Sequence, residues 1–305
     1  MMIKDGILVV GSTNMDMVVS TENFPKPGET LLGKKFQTFP GGKGANQAVG
    51  VAKLGALTHF VTKMGNDEFR KRLIDNLAAN NVDIENVIID KNESTGIAVI
   101  MVDSKGQNEI VVVSGSNMCL TPAEIEEKVV LFEKSQILLT QLEIPLETIE
   151  KSVELAKKNK MIVILNPAPA RLLPDQLLSM IDYLTPNETE LESLTGLKIN
   201  CDESIHKAAA VLLTKGVKNV IVTLGAKGSL LINKERTKAF SARDVKVKDT
   251  TAAGDAFNAG LAFSISQNKP LEEAIKYAHL VASIAVTRMG AQSSMPTNYE
   301  VMNLK

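Results

Sequence analysis

Short runs of Val, Ile and Leu recur along this chain, and a longer amphipathic stretch follows most of them. ILVV (7–10), HFVT (59–62), ILLT (137–140), MIVIL (161–165), YLT (183–185) and VIVTL (220–224) read as strands that are mostly apolar on both alternating faces. A strand of that kind is stable only when both faces are covered. The stretches 44–54, 67–79, 145–158, 187–194 and 203–214 read as the covering helices. The alternation predicts an α/β fold, a doubly wound and mostly parallel sheet of Rossmann-like type. Ligands in such sheets bind beyond the strand ends, in the loops that open the next helix.

Two segments, about 16–39 and 94–113, break the alternation with strand-like stretches and no helix between them. TGIAVIMVD (95–103) and NEIVVVSG (108–115) flank SKGQ (104–107), which reads as a hairpin turn. Within 97–102, Ile97, Val99 and Met101 fall on one face and Ala98, Ile100 and Val102 on the other. A small sheet apolar on both faces needs two covers. It is either an ordinary extension packed on the core or a lid, with one face toward a ligand and the other toward a second subunit. Residues 1–305 otherwise read as one α/β unit carrying this discontinuous β lid, without repeats or long linkers.

Charge and cysteine content narrow the function. A formal net charge of −1 gives no electrostatic footprint for nucleic acid or a membrane surface. No apolar run approaches the length of a membrane span, and ILVV near the N-terminus is too short for a signal peptide. The two cysteines, Cys119 and Cys201, lie far apart and match no metal-ligand spacing. Such lone cysteines suit a reducing compartment, and a cytoplasmic protein is the expectation.

Four loops carry candidate chemistry. FPGGKGANQAVGVAKLG (39–55) places Lys43 and Asn46 in a glycine-rich turn before an apolar helix. It is neither a Walker A loop, since Gly44 follows the lysine, nor a dinucleotide fingerprint, whose third glycine would fall at Gln47. TPNETELESLTG (185–196) opens a helix at Asn187, with Glu190 completing a capping-box pattern. Its acidic side chains could also serve a magnesium ion held to phosphate through water. TLGAKGSLL (223–231) reads as a strand, a glycine-rich turn and another strand, either a plain hairpin or a phosphate-holding turn.

DTTAAGDAFNAG (249–260) is the most pointed of the four. Asp255 falls in the first turn of a helix over about 252–266, where the helix dipole favours an acid by roughly 0.3–1 kcal/mol. Helix stabilisation alone would explain one acid. Yet the free N–H groups of that helix end, beside small residues that admit a bulky anion, form a place for a phosphoryl group. Phosphoryl transfer needs positioning and charge stabilisation more than a strong base, so a plain carboxylate suffices to take a hydroxyl proton.

As an ordered set these motifs resemble the ribokinase-like (PfkB-type) family of sugar and nucleoside kinases, over essentially all 305 residues. The family's two signatures stand as GGKGANQA (41–48) and DTTAAGD (249–255). GSTNMD (11–16), GND (65–67), STG (94–96), QLE (141–143), NPAPA (166–170), TPNETE (185–190) and VTRMGAQSS (286–294) stand in order around them. The resemblance implies ATP-dependent phosphorylation of D-ribose at its 5-hydroxyl, giving D-ribose 5-phosphate, by a homodimer joined through the lids. It implies that Asn14, Asp16, Gly42, Lys43, Asn46 and Glu143 hold the sugar, and that Asp255 is the base beside an anion hole of Ala253 and Gly254. It places Asn187, Thr223, Leu224, Gly225, Ala226, Lys227, Gly228, Gly254 and His279 at ATP, and Glu190 at Mg2+ through water. A K+ activator would be held by Asp249 and Ser294 with carbonyl oxygens of Thr251, Ala285, Arg288 and Gly290.

One residue departs from the signature. Ala252 stands where many members have glycine, which is harmless if its φ is negative and unfavourable otherwise. Other functions stay open: a kinase for deoxyribose, a ketohexose or a nucleoside, or a catalytically idle sugar- or nucleotide-binding regulator. The pair Asn14 and Asp16 favours a vicinal diol over deoxyribose, and 4% aromatic residues with no Trp disfavour a nucleoside base. Asp255 beside an intact Gly254 disfavours the regulator.

Overall fold

The computed structural model describes residues 5–304. In chain order its strands are β1 (Gly6–Val10), β2 (Asn14–Ser20), β3 (Lys35–Gly41), β4 (Thr58–Gly65), β5 (Val87–Asp90), β6 (Gly96–Val102) and β7 (Asn108–Val113). There follow β8 (Ser135–Thr140), β9 (Ile162–Leu165), β10 (Tyr183–Leu184), β11 (Asn219–Thr223), β12 (Ser229–Asn233) and β13 (Thr237–Phe240). Nine of them form one sheet in the order β13-β12-β11-β10-β9-β8-β1-β4-β5. From β11 to β5 every pairing is parallel, and β12 and β13 extend the sheet as antiparallel strands.

Strand β1 shows why the sheet is buried on both sides. Ile7 and Val9 enter one apolar cluster while Leu8 and Val10 enter a second, and all four are fully buried. The first cluster includes residues of helices Lys43–Lys53, Ala253–Ser266 and Leu271–Ala285, and the second includes residues of helices Leu146–Lys158 and Asp202–Thr214. Side chains alternate along a strand, so both layers are dictated by one unbroken apolar run. The doubly wound α/β reading is the fold observed.

Close helix contact positions the site. An added Cβ at Gly50 would lie 2.7 Å from the Cβ of Ala259, so the helices Lys43–Lys53 and Ala253–Ser266 meet across small residues. That approach brings the N-terminal turns of both helices together.

The remaining four strands form the separate lid sheet, in the order β3-β2-β6-β7. Pairing is antiparallel at β2–β3 and β6–β7 and parallel at β2–β6. The turn expected at 104–107 lies between β6 and β7, and no helix interrupts the segment between β2 and β3. Directly paired residues share a face. Asp16, Ala98 and Val112 therefore lie on one face with Ile100 and Ile110, while Met17, Val99 and Val111 lie on the other. Every residue of β7 is exposed, Val111 at 63% and Val112 at 51%.

Candidate functional site

The loop after β1 turns at once into β2, which delivers Asn14 and Asp16 beside the helix Lys43–Lys53. Gly42 precedes that helix with φ 86°, a left-handed conformation, and its Cα faces the backbone of Thr13 and Asn14. A Cβ there would lie 2.7 Å from the Asn14 nitrogen, so glycine is required twice over. Asn14 is buried, and its carboxamide oxygen accepts from Asn117 Nδ2 at 2.7 Å. That bond fixes the amide so that the Asn14 NH2 group is left as a donor.

Glu143 follows β8 and closes the same corner. Its Oε2 accepts from the Lys43 backbone N–H at 3.0 Å and from the Ser12 hydroxyl. Asp255, in the first turn of helix Ala253–Ser266, accepts from Asn46 Nδ2 at Oδ2 and from Gln47 Nε2 at Oδ1, both at 2.9 Å. The carboxylate is 4% exposed.

Charge is concentrated here. Burial, with Glu143 and Asp255 nearby, pushes the Asp16 carboxyl up to about 7 against the opposing pull of Lys43. The Lys43 ammonium is held above the usual lysine range, chiefly by Asp255. Burial also raises Glu190, against the bond from the Asn187 N–H and the attraction of Lys43. Asn187 and Glu190 form the reciprocal capping box anticipated from their spacing, with both bonds at 2.8 Å.

Two cavities flank the start of helix Ala253–Ser266. One, of about 210 Å³, is bounded by Lys43, Asn187, Glu190, Thr223, Gly254 and Asp255. The other, of about 490 Å³ and mostly apolar, is bounded among others by Gly225, Ala226, Arg243, Val247, His279 and Ala282. Thr250 and Ala253 border both. The helix end is thus the partition between a polar, charged chamber and an apolar one.

Its N–H groups are not equivalent. Ala253 N–H donates to the Thr250 carbonyl at 3.2 Å, whereas those of Gly254 and Asp255 meet no acceptor among the described residues. Space beside Gly254 is open. The donors facing the cavity are therefore Gly254 and Asp255, and the share expected of Ala253 is reduced. Ala252 adopts φ 60° and ψ 17°, the left-handed conformation. The unfavourable alternative for this residue is the one realised. The helix begins at Ala253, one residue later than the spacing suggests.

His279 is buried, with its Nε2 2.8 Å from Ser229 Oγ and its ring edge-on to Phe257 at 5.1 Å. Burial pushes the imidazole down to about 4, so it is neutral. Of the turn after β11, Gly225 and Ala226 border the larger cavity, while Leu224, Lys227 and Gly228 border neither. Arg243 and Val247 lie in the irregular segment between β13 and Asp249, where the polar–apolar alternation of Asp244 to Lys248 reads as a strand and not as a ligand site. Asn117 was equally invisible, being one asparagine in a 3-10 turn after β7.

Of the positions expected at a monovalent ion, Asp249, Thr251 and Gly290 are joined by hydrogen bonds. Asp249 accepts from the N–H groups of Thr251 and Gly290, each at 2.9 Å, and its own N–H donates to the Val286 carbonyl. Burial would raise this carboxyl, but the donors of Thr251 and Gly290 hold it below its ordinary value. Ser294 is buried and donates to the Ala291 carbonyl at 2.7 Å. The loop before helix Ala253–Ser266 and the loop after helix Leu271–Ala285 are thereby tied together.

A family model described as pfkB family carbohydrate kinase matches residues 4–298. The chain is 43% identical over 296 residues to a ribokinase of Haemophilus influenzae, covering 97% of each chain. It is 39% identical over 292 residues to a deoxyribokinase of Salmonella typhi, covering 95% of each. The solved structure of Arabidopsis thaliana ribokinase complexed with ribose and ATP superposes with a TM-score of 0.94 at 39% identity, covering 99% of both chains. Over nearly its whole length, the chain belongs to the pfkB family of carbohydrate kinases.

Proposed function

We propose that this protein transfers the γ-phosphoryl group of ATP to the 5-hydroxyl of D-ribose. The observation that carries the reading is the partition at helix Ala253–Ser266. A buried carboxylate and two backbone N–H groups that meet no acceptor among the described residues share one helical turn, between a charged chamber and an apolar one. The smaller chamber suits the phosphates and borders the sugar side at Lys43 and Asp255, and the larger suits the nucleoside of ATP.

Asp255 takes the proton of the 5-hydroxyl as that oxygen attacks phosphorus in line, while the bond from phosphorus to the bridging oxygen of ADP breaks. The N–H groups of Gly254 and Asp255 and the Lys43 ammonium meet the charge on the transferring oxygens. Asn14 as a fixed donor and Asp16 as an acceptor suit two neighbouring hydroxyls. Asn46 Oδ1, buried and without a hydrogen-bond partner among the described residues, suits a hydroxyl donor.

That arrangement favours ribose over deoxyribose, a choice that similarity to both kinds of relative leaves open. Gly42, Lys43 and Glu143 complete the sugar side. Asn187, Thr223, Gly225, Ala226 and the neutral His279 form the ATP side.

A divalent cation such as Mg2+ accompanies ATP. No cluster of three ligating His, Cys, Asp or Glu residues occurs among the described residues. Glu190 and Asn187 at the cavity therefore fit an ion carried by the phosphates and reached through water, where it would neutralise their charge. K+ fits the oxygen-rich loops around Asp249, with Ser294 and carbonyls of Thr251, Ala285, Arg288 and Gly290. The exposed apolar lid supports a homodimer joined through it.

No helix among the described residues is long and apolar enough to cross a membrane. The free Cys119 and Cys201 support a cytoplasmic setting. A coupled ADP-release assay over pentoses, hexoses and nucleosides tests the substrate. Deoxyribose turned over in preference to ribose would overturn the choice of sugar, and no turnover of any acceptor would overturn the kinase reading.

A further inference from the structure

Asp255 must present one lone pair in one direction, yet a carboxylate rotates easily about its own axis. In this protein both of its oxygens are held by amide donors from successive residues, Asn46 at Oδ2 and Gln47 at Oδ1. Asn46 belongs to the sugar pocket. Gln47 does not: it is fully buried, and among the described residues its amide bonds only to Asp255, Asn166 and Gln141.

Every polar atom of the Gln47 side chain is committed. Its Nε2 donates to Asp255 Oδ1 at 2.9 Å and to Asn166 Oδ1 at 3.1 Å, and its Oε1 accepts from Gln141 Nε2 at 2.6 Å. The amide cannot be flipped, because that would set its oxygen against a carboxylate and the Gln141 NH2 against an NH2. Gln141 is also fully buried and directly follows β8, while Asn166 directly follows β9. Two adjacent ends of the central sheet thereby set the angle of one glutamine.

We propose that Gln47 is a positioning residue for the phosphoryl-transfer step: it fixes the rotation of the Asp255 carboxylate, and Gln141 fixes Gln47. The inference rests on Asp255 being the base. A network present only to satisfy buried amides would couple to stability and leave the reacting geometry alone, which makes the two roles separable.

The test is a double-mutant cycle between Gln47→Met, which removes the amide at similar volume, and Asp255→Asn, in the full-length protein. Gln47→Met should lower kcat about 10- to 100-fold, the order expected for slight misplacement of a reacting group. KM for sugar and ATP should stay within about twofold, because every polar atom of the Gln47 side chain is engaged within the protein and none is left for a ligand. In the Asp255→Asn background the same substitution should lower kcat by less than about twofold, since residues acting as a unit are not additive. If Gln47→Met does not fold, Gln141→Met replaces it, with a smaller loss of kcat and the same non-additivity.

A loss that persists undiminished in the Asp255→Asn background, or that appears in KM, would overturn the inference. Asp255→Asn turning over at the wild-type rate would instead overturn the base assignment, and the positioning role with it.

Discussion

Asp16→Asn separates stability from function in a way that its surroundings make quantitative. Burial and the carboxylates of Glu143 and Asp255 lift the Asp16 carboxyl from 3.8 to about 7 in the folded protein. The folded state therefore binds more protons than the unfolded state between those values, so stability falls as pH rises through that window. Below it Asp16 is protonated in both states, and above it the penalty is complete. At 1.36 kcal/mol for each pH unit, the raised Asp16 carboxyl lowers the stability of the empty protein by on the order of 4 kcal/mol at pH 8 and on the order of 1–2 kcal/mol at pH 5.

Asn cannot ionise, so the gain from Asp16→Asn should grow by about 3 kcal/mol between pH 5 and pH 8. Any fixed packing difference cancels in that comparison. Urea unfolding of both proteins at pH 5, 6, 7 and 8 without ligand measures it. The same substitution exchanges a charged acceptor for a neutral one, so KM for ribose should rise about tenfold at pH 8. A stability difference constant with pH, or one that shrinks as pH rises, would refute the account of Asp16.

The other substitutions probe separate parts of the site. Asp255→Asn should lower kcat about 10²–10⁴-fold while leaving ATP affinity nearly unchanged, since the phosphate donors are backbone N–H groups. Ala252→Gly should stabilise the protein by up to about 1 kcal/mol in urea unfolding, with activity retained, because the left-handed conformation disfavours a Cβ. Replacing sodium or Tris by potassium at constant ionic strength should raise the turnover rate, and equal rates in all three would remove the ion from the loop around Asp249. Sedimentation should show a dimer for the natural chain and a monomer for Ile110→Asp, Val111→Asp, which places charge on both faces of β7.

Much of this architecture is written in local patterns. The helix expected at 203–214 is observed at Asp202–Thr214, and that at 145–158 at Leu146–Lys158, because amphipathic period and chain breakers fix them locally. Strands β5 and β13 were not legible: each has four residues and lies at a sheet edge, where period-2 burial is weak. Within the site, Asn46 and Asp255 stood out as polar residues opening apolar helices, and the structure joins them.

Other site residues could not be found that way. Asn117 meets Asn14 across 103 positions of sequence, and Gln47 meets Asn166 across 119. Contacts of that span depend on the finished topology. The handedness of Ala252 depends on a backbone angle that its side chain does nothing to announce, since alanine favours negative φ.

Asn117 also has a mechanical consequence. It bonds the backbone N–H and carbonyl of Thr13 as well as the Asn14 amide. The space beside Gly96, where β6 begins, is filled by Asn117 Nδ2 and Asn14 Oδ1, each 2.2 Å from where a Cβ would stand. The roots of both central lid strands are therefore packed around the one amide that aims Asn14. Any swing of the sheet about those roots would disturb that amide, so on the proposed reading movement of the lid and contact with the sugar share the same few atoms.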